Sequence, residues 1–113
     1  MSDGKETGNF GALTIKLERE EDTTVLSLYG EADLFSAASL EEQLQRAMAA
    51  DSDRVIVDLG GLDFIDSICL RALLKAALAS RQDSGRLYFR EGGPQVERIL
   101  TVSGIKQQLQ FLD

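Results

Sequence analysis

Residues 54–78 read RVIVDLGGLDFIDSICLRALLKAAL, and the fold follows from how that stretch changes period. The apolar run Val55-Ile56-Val57 has the pattern of a strand buried on both faces, within a strand expected over Arg54 to Leu59. Asp58 and the glycine pair Gly60-Gly61 are expected to end it in a turn. From Asp66-Ser67 onward Leu70, Leu73, Leu74, Ala77 and Leu78 recur at i, i+3, i+4, i+7 and i+8, the spacing of a helix that buries one face. All of these leucines are expected in the core. The polar segment Asp63 to Ser67 joins a strand's carboxyl end to a helix's amino end, where backbone N–H groups lack partners inside the helix. That corner is the expected functional site.

Outward from it, the same two periods recur. Leu13, Ile15 and Leu17 alternate with polar residues, and Thr24 to Tyr29 (TVLSLY) is rich in β-formers, so the two segments predict an antiparallel hairpin ending at Gly30. Ala37, Leu40, Leu44, Ala47 and Met48 line a helical face, with Ser36 as candidate N-cap and Ser39 with Glu42 as an alternative capping box. After the central helix, Ser84-Gly85 is a stop signal and Arg86 to Arg90 (RLYFR) predicts a short parallel strand. Pro94 suits a first helical turn, with Val96, Ile99 and Leu100 on one face, and Ile105, Leu109 and Leu112 close the chain. Met1 to Gly11 is polar, holds three glycines and shows no period, so residues 1–11 are expected to be a flexible tail before a single domain over 12–113. The order β-β-α-β-α-β-α predicts an α/β fold with a mixed sheet carrying helices.

Composition narrows the function. At 113 residues, with 43% hydrophobic and 27% charged residues, the chain suits one folded domain. Nineteen acidic against twelve basic residues give a net charge of −7, which repels nucleic acid and anionic membranes. There is no histidine and one cysteine, Cys69, so internal disulfides, the usual zinc sites and Ser-His or Cys-His nucleophile pairs cannot be built. With no signal peptide and no long apolar span, a cytoplasmic protein without a membrane segment is expected.

Asp33, Asp58, Asp63 and Asp66 raise the question of an acid-base pair or a metal site. Asp33, Asp58 and Asp66 also sit where a short acceptor satisfies free N–H groups, which favours turn and capping roles over catalysis. No glycine-rich phosphate loop is present, and no cofactor is expected. Cys69 falls in the first turn of the central helix, where it is either a reactive thiol or a small packed residue.

The segment Gly30-Glu31-Ala32-Asp33-Leu34-Phe35-Ser36-Ala37 resembles the Gly-x-x-Asp-x-x-x-Ala motif of STAS domains, and of free-standing anti-sigma factor antagonists among them. Val55-Ile56-Val57-Asp58-Leu59 with Phe64-Ile65-Asp66-Ser67 resembles that family's central strand and phosphorylation loop. The resemblance implies a binding protein, not an enzyme. Its partner would be an anti-sigma factor, usually a serine kinase of the histidine-kinase-like ATPase fold, and its action would release a sigma factor. It implies a partner surface of Asp33, Asp66, Ser67, Ile68 and Cys69. The family loop Asp-Ser-[Ser/Thr]-Gly falls on Asp66-Ser67-Ile68-Cys69, so Ile68 stands where the usual phosphoacceptor is expected. This predicts a constitutive or differently regulated antagonist. Three roles for Ser67 stay open: N-cap, contact residue, or displaced phosphoacceptor. The resemblance also admits a STAS subunit of a lipid transporter or of a stress-sensing complex. A homodimer through a helix face or the hairpin edge is compatible with the pattern.

Overall fold

The computed structural model describes residues 4–112. Three antiparallel neighbours, β1 (Gly4–Phe10), β2 (Leu13–Glu20) and β3 (Thr23–Ala32), are followed in the sheet by the parallel strands β4 (Arg54–Ile65) and β5 (Leu87–Arg90), in the order β1-β2-β3-β4-β5. Helix α1 (Ala37–Ala49) connects β3 to β4, α2 (Ser67–Asp83) connects β4 to β5, and α3 (Pro94–Val102) leads to a short 3-10 turn at Lys106–Gln108. The α/β class and mixed sheet are as the periodicity predicts. No helix among the described residues is long and apolar enough to cross a membrane.

Alternation along the strands puts Leu13 and Ile15, Leu26 and Leu28, Val55, Val57 and Leu59, and Leu87 and Phe89 on one face. These form a single buried cluster with Leu40 and Leu44 of α1, Leu70 and Leu73 of α2, and Val96 and Leu100 of α3. The helices therefore cover one face of the sheet. Ile56 points the other way, yet is 3% exposed. Its lateral neighbours Val25 and Tyr88 flank it across the ladders, and Arg54 lies over the Tyr88 ring. Two contacts fasten the ends of this layer. The Arg86 guanidinium donates to the carbonyls of Met48, Ala50 and Ser52 where α1 exits. Along β5, Phe89 N–H donates to Gln110 O at 2.8 Å and Leu112 N–H to Phe89 O at 2.9 Å, with the Phe89 and Phe111 rings 6.0 Å apart.

Three expectations are corrected. Residues 4–10 of the expected tail form a strand paired with β2 along its whole length, while Met1–Asp3 lie outside the described residues. Ladder bonding uses the backbone, and most β1 side chains are exposed, so composition carried no trace of it. Gly60-Gly61 does not end β4, which runs on to Ile65 through two register shifts. The pair makes room for a ring instead: a Cβ on Gly61 would lie 2.3 Å from Tyr29 Cδ2 and 2.8 Å from Leu28 O. Finally, Leu78 is 41% exposed and Leu74 only half-buried, because the buried face of α2 is Cys69, Leu70, Leu73, Ala77 and Ser80.

Gly30 is held where no other residue fits. Its φ is 92°, and a Cβ there would stand 2.3 Å from Ala12 O. Gly30→Ala is expected to cost at least about 2 kcal/mol from strain and backbone overlap. Urea unfolding followed by circular dichroism checks this, and an unchanged midpoint would show that the loop yields freely.

The candidate functional site

The site is the corner at the carboxyl ends of β3 and β4. Their parallel pairing continues to Ala32 and Ile65, so the next residues, Asp33 and Asp66, leave the sheet side by side. Asp66 N–H donates to Ala32 O at 3.0 Å and ties the second exit to the first.

Asp66 is extended and caps α2, its Oδ1 accepting from Cys69 N–H at 2.9 Å. This corrects the capping role weighed for Ser67. Ser67 is the first helical residue, and its exposed hydroxyl has no hydrogen-bond partner among the described residues. Ile68 beside it is 40% exposed.

The loop before α1 is closed by its own polar groups. Asp33 Oδ1 accepts from Phe35 N–H at 3.0 Å, and Asp33 N–H donates to Ser36 Oγ at 3.1 Å. Ser36 Oγ and Ser36 N–H both donate back to Asp33 O, at 3.1 and 2.9 Å. Ser36 is wholly buried and holds this ring, and its side chain makes no cap bond to α1 as the sequence had suggested. The ring turns Leu34 and Phe35 outward, where they are 61% and 88% exposed. Neither belongs to the buried stripe of a helix. An apolar pair between Asp33 and Ser36, out of phase with the following helix, was the available signal for this feature.

Cys69 joins the two loops. It is 0% exposed, so it is corrected from a contact residue to part of the frame, and its Sγ donates to Asp33 O at 3.4 Å. Burial first, then the charge and hydrogen bond of Asp66 and the charge of Asp33, push its thiol up to about 12. The group is a protonated donor at neutral pH, not a reactive thiolate.

The carboxylates do not converge. Asp33 and Asp66 accept backbone N–H bonds, Asp58 accepts from Gly60 N–H at 2.9 Å and faces Arg90 at 3.6 Å, and Asp63 is exposed at the end of β4. Among the described residues no three His, Cys, Asp or Glu side chains gather as a metal site. What the corner offers is a fixed frame carrying Leu34, Phe35, Ser67 and Ile68. Beside Ile68 a groove of about 620 Å³ runs between α1 and α2, lined by Ala37, Ala38, Leu74 and Leu78 with Arg71 on its rim.

Known proteins resemble this chain in sequence and in fold. The family model described as Mlab, STAS domain, matches residues 15–112. A Bordetella bronchiseptica protein provisionally named anti-sigma factor antagonist BtrV is 30% identical over 92 residues, spanning 81% of this chain and 79% of its own. An anti-sigma factor antagonist from Mycobacterium paratuberculosis superposes with a TM-score of 0.74 at 22% identity, covering 88% of this chain and 84% of that one. The antagonist SpoIIAA superposes with a TM-score of 0.70 in its unphosphorylated form, at 20% identity and 88% of each chain. Its Bacillus phosphorylated form gives 0.65 at 20% identity, over 88% of this chain and 91% of that one.

The buried thiol yields a direct check. At about pH 8 Cys69 in the native chain is expected to react with a soluble disulfide reagent at least about 100-fold more slowly than in urea. Its folded pKa is raised from 9.0 to about 12, so its contribution to stability is intact below 9 and is lost as pH rises toward 12. Rapid labelling of native protein, or alkaline stability unaltered by Cys69→Ala, would contradict the placement.

Proposed function

The chain belongs to the STAS-domain family, and we propose that it is an anti-sigma factor antagonist: it binds an anti-sigma factor through the corner described above and so frees a sigma factor. The role is binding rather than catalysis. The carrying observation is the contrast within the corner, where Asp33, Ser36, Asp66 and Cys69 satisfy one another while Phe35, Leu34 and Ile68 stand in solvent. Exposed apolar side chains on a rigid frame suit protein docking, because little ordering entropy is lost when a partner closes over them. An acidic domain with no membrane-crossing helix among its described residues suits a partner in the cytoplasm.

The partner we propose is an ATP-dependent serine kinase, and the residue it would modify is Ser67. Ile68 has no hydroxyl. Asp66 already caps the helix, which leaves Ser67 Oγ exposed and uncommitted at the first turn of α2. A phosphate there adds about −1.5 to −2 charge, which the helix amino end tolerates and a docked surface does not.

Binding to a kinase-type anti-sigma factor, measured by calorimetry, tests both parts. Phe35→Ala is expected to weaken it at least about tenfold, as does Ser67→Asp, while Ser67→Ala binds as the unaltered chain does. Binding indifferent to Phe35→Ala would dismiss the corner as the docking surface. Incubation with that kinase and ATP is expected to add one phosphate by intact mass, absent in Ser67→Ala. No gain in mass would mean a contact that phosphate does not switch.

A further inference from the structure

The sheet is finished differently at its two edges. Beyond β5 the segment around Phe111 supplies backbone partners to Phe89 and closes that side. Beyond β1 no strand follows among the described residues, so the outer row of N–H and C=O groups of Gly4–Phe10 is open. Such an edge is normally guarded by proline, by a bulge, or by charges set along it. β1 contains no proline, and its register with β2 runs from Gly4↔Arg19 to Phe10↔Leu13 without a shift. Its two charges are exposed and each faces an opposite charge of its own chain: Lys5 Nζ lies 3.7 Å from Glu18, and Glu6 Oε1 accepts from Arg46 Nη2 at 3.2 Å.

We infer that β1 is a self-pairing edge, and that two copies of this chain join through antiparallel β1 strands centred on Thr7. The occupant follows from the strand's own sequence. Centring on Thr7 engages all seven residues of GKETGNF and sets Lys5 opposite Asn9, Glu6 opposite Gly8 and Gly4 opposite Phe10. No like charges face each other, whereas a centre on Lys5 or Glu6 would oppose a charge to itself and shorten the ladder. A Cβ added to Gly4 would meet nothing within 4 Å, so the place opposite Phe10 is open. The contact is isologous and closes about a two-fold axis, joining two five-stranded sheets into one. β1 stands two strands from β3 and three from β4, roughly 10 and 14 Å across the sheet, and its open edge faces away from both, so the pairing leaves the corner free and rests on no part of the functional reading.

Because Cys69 is wholly buried, an introduced thiol on β1 is the accessible one. In the paired strands the two Thr7 Cα atoms stand about 4.5–5.5 Å apart, and the two Asn9 Cα atoms about 14 Å apart, four residues of offset. Under mild oxidation Thr7→Cys is expected to form a disulfide-linked dimer at least about tenfold faster than Asn9→Cys, whereas Asn9→Cys mixed with Lys5→Cys cross-links readily. Sedimentation of the unaltered chain is expected to show a concentration-dependent monomer-dimer equilibrium. Equal rates for Thr7→Cys and Asn9→Cys, or sedimentation as a monomer up to about millimolar concentration, would overturn the inference.

Discussion

The parallel pairing of β3 with β4, carried past the glycine pair to Ala32 and Ile65, is the constraint from which the rest of the molecule takes its shape. Had β4 turned at Gly60-Gly61, the two helix entries would leave the sheet at different heights. Because the ladder continues, Asp33 and Asp66 emerge together, and one short set of bonds fixes both helix starts. Tyr29 is part of that continuity, since its ring occupies the space that a side chain on Gly61 would need.

The corner then divides its residues by solvent. Ser36 and Cys69 are fully buried and each donates its side-chain hydrogen to Asp33 O, while Asp66 caps α2 from the rim by accepting from Cys69 N–H. Satisfied buried groups of this kind fix a loop in one conformation. Leu34, Phe35, Ser67 and Ile68 are carried on that frame but do not take part in it. Replacing Cys69 alters the support, whereas replacing Phe35 alters the presented surface. A cysteine in the first helical turn thus serves as a small buried hydrogen-bond donor.

Much of this was legible in the sequence, and the failures have physical causes. The buried run Val55-Ile56-Val57, the α1 stripe of Leu40, Leu44 and Ala47, the β2–β3 hairpin and Pro94 at the head of α3 all appear where the periods place them. β1 was illegible because a strand held by backbone bonds, with exposed side chains, leaves no hydrophobic pattern. Gly60-Gly61 misled because glycine marks close approach as often as it marks a turn. In the site, Asp33, Asp66, Ser67 and Ile68 lie at one corner, at the ends of β3 and β4. The exchange of roles between Asp66 and Ser67, the burial of Cys69 and the exposure of Phe35 depend on where the helix begins. One residue of offset at a helix start changes which side chain caps and which faces water.

The exposed side chains of the β3–α1 and β4–α2 junctions are the surface we propose to meet a partner. Hydrogen-exchange footprinting of the chain with and without a kinase-type anti-sigma factor tests it most directly. Slowed exchange is expected only at residues 33–37 and 66–72, with β5 and α3 unchanged. Protection centred on the open sheet face or on α3, with the two junctions unaffected, would contradict it.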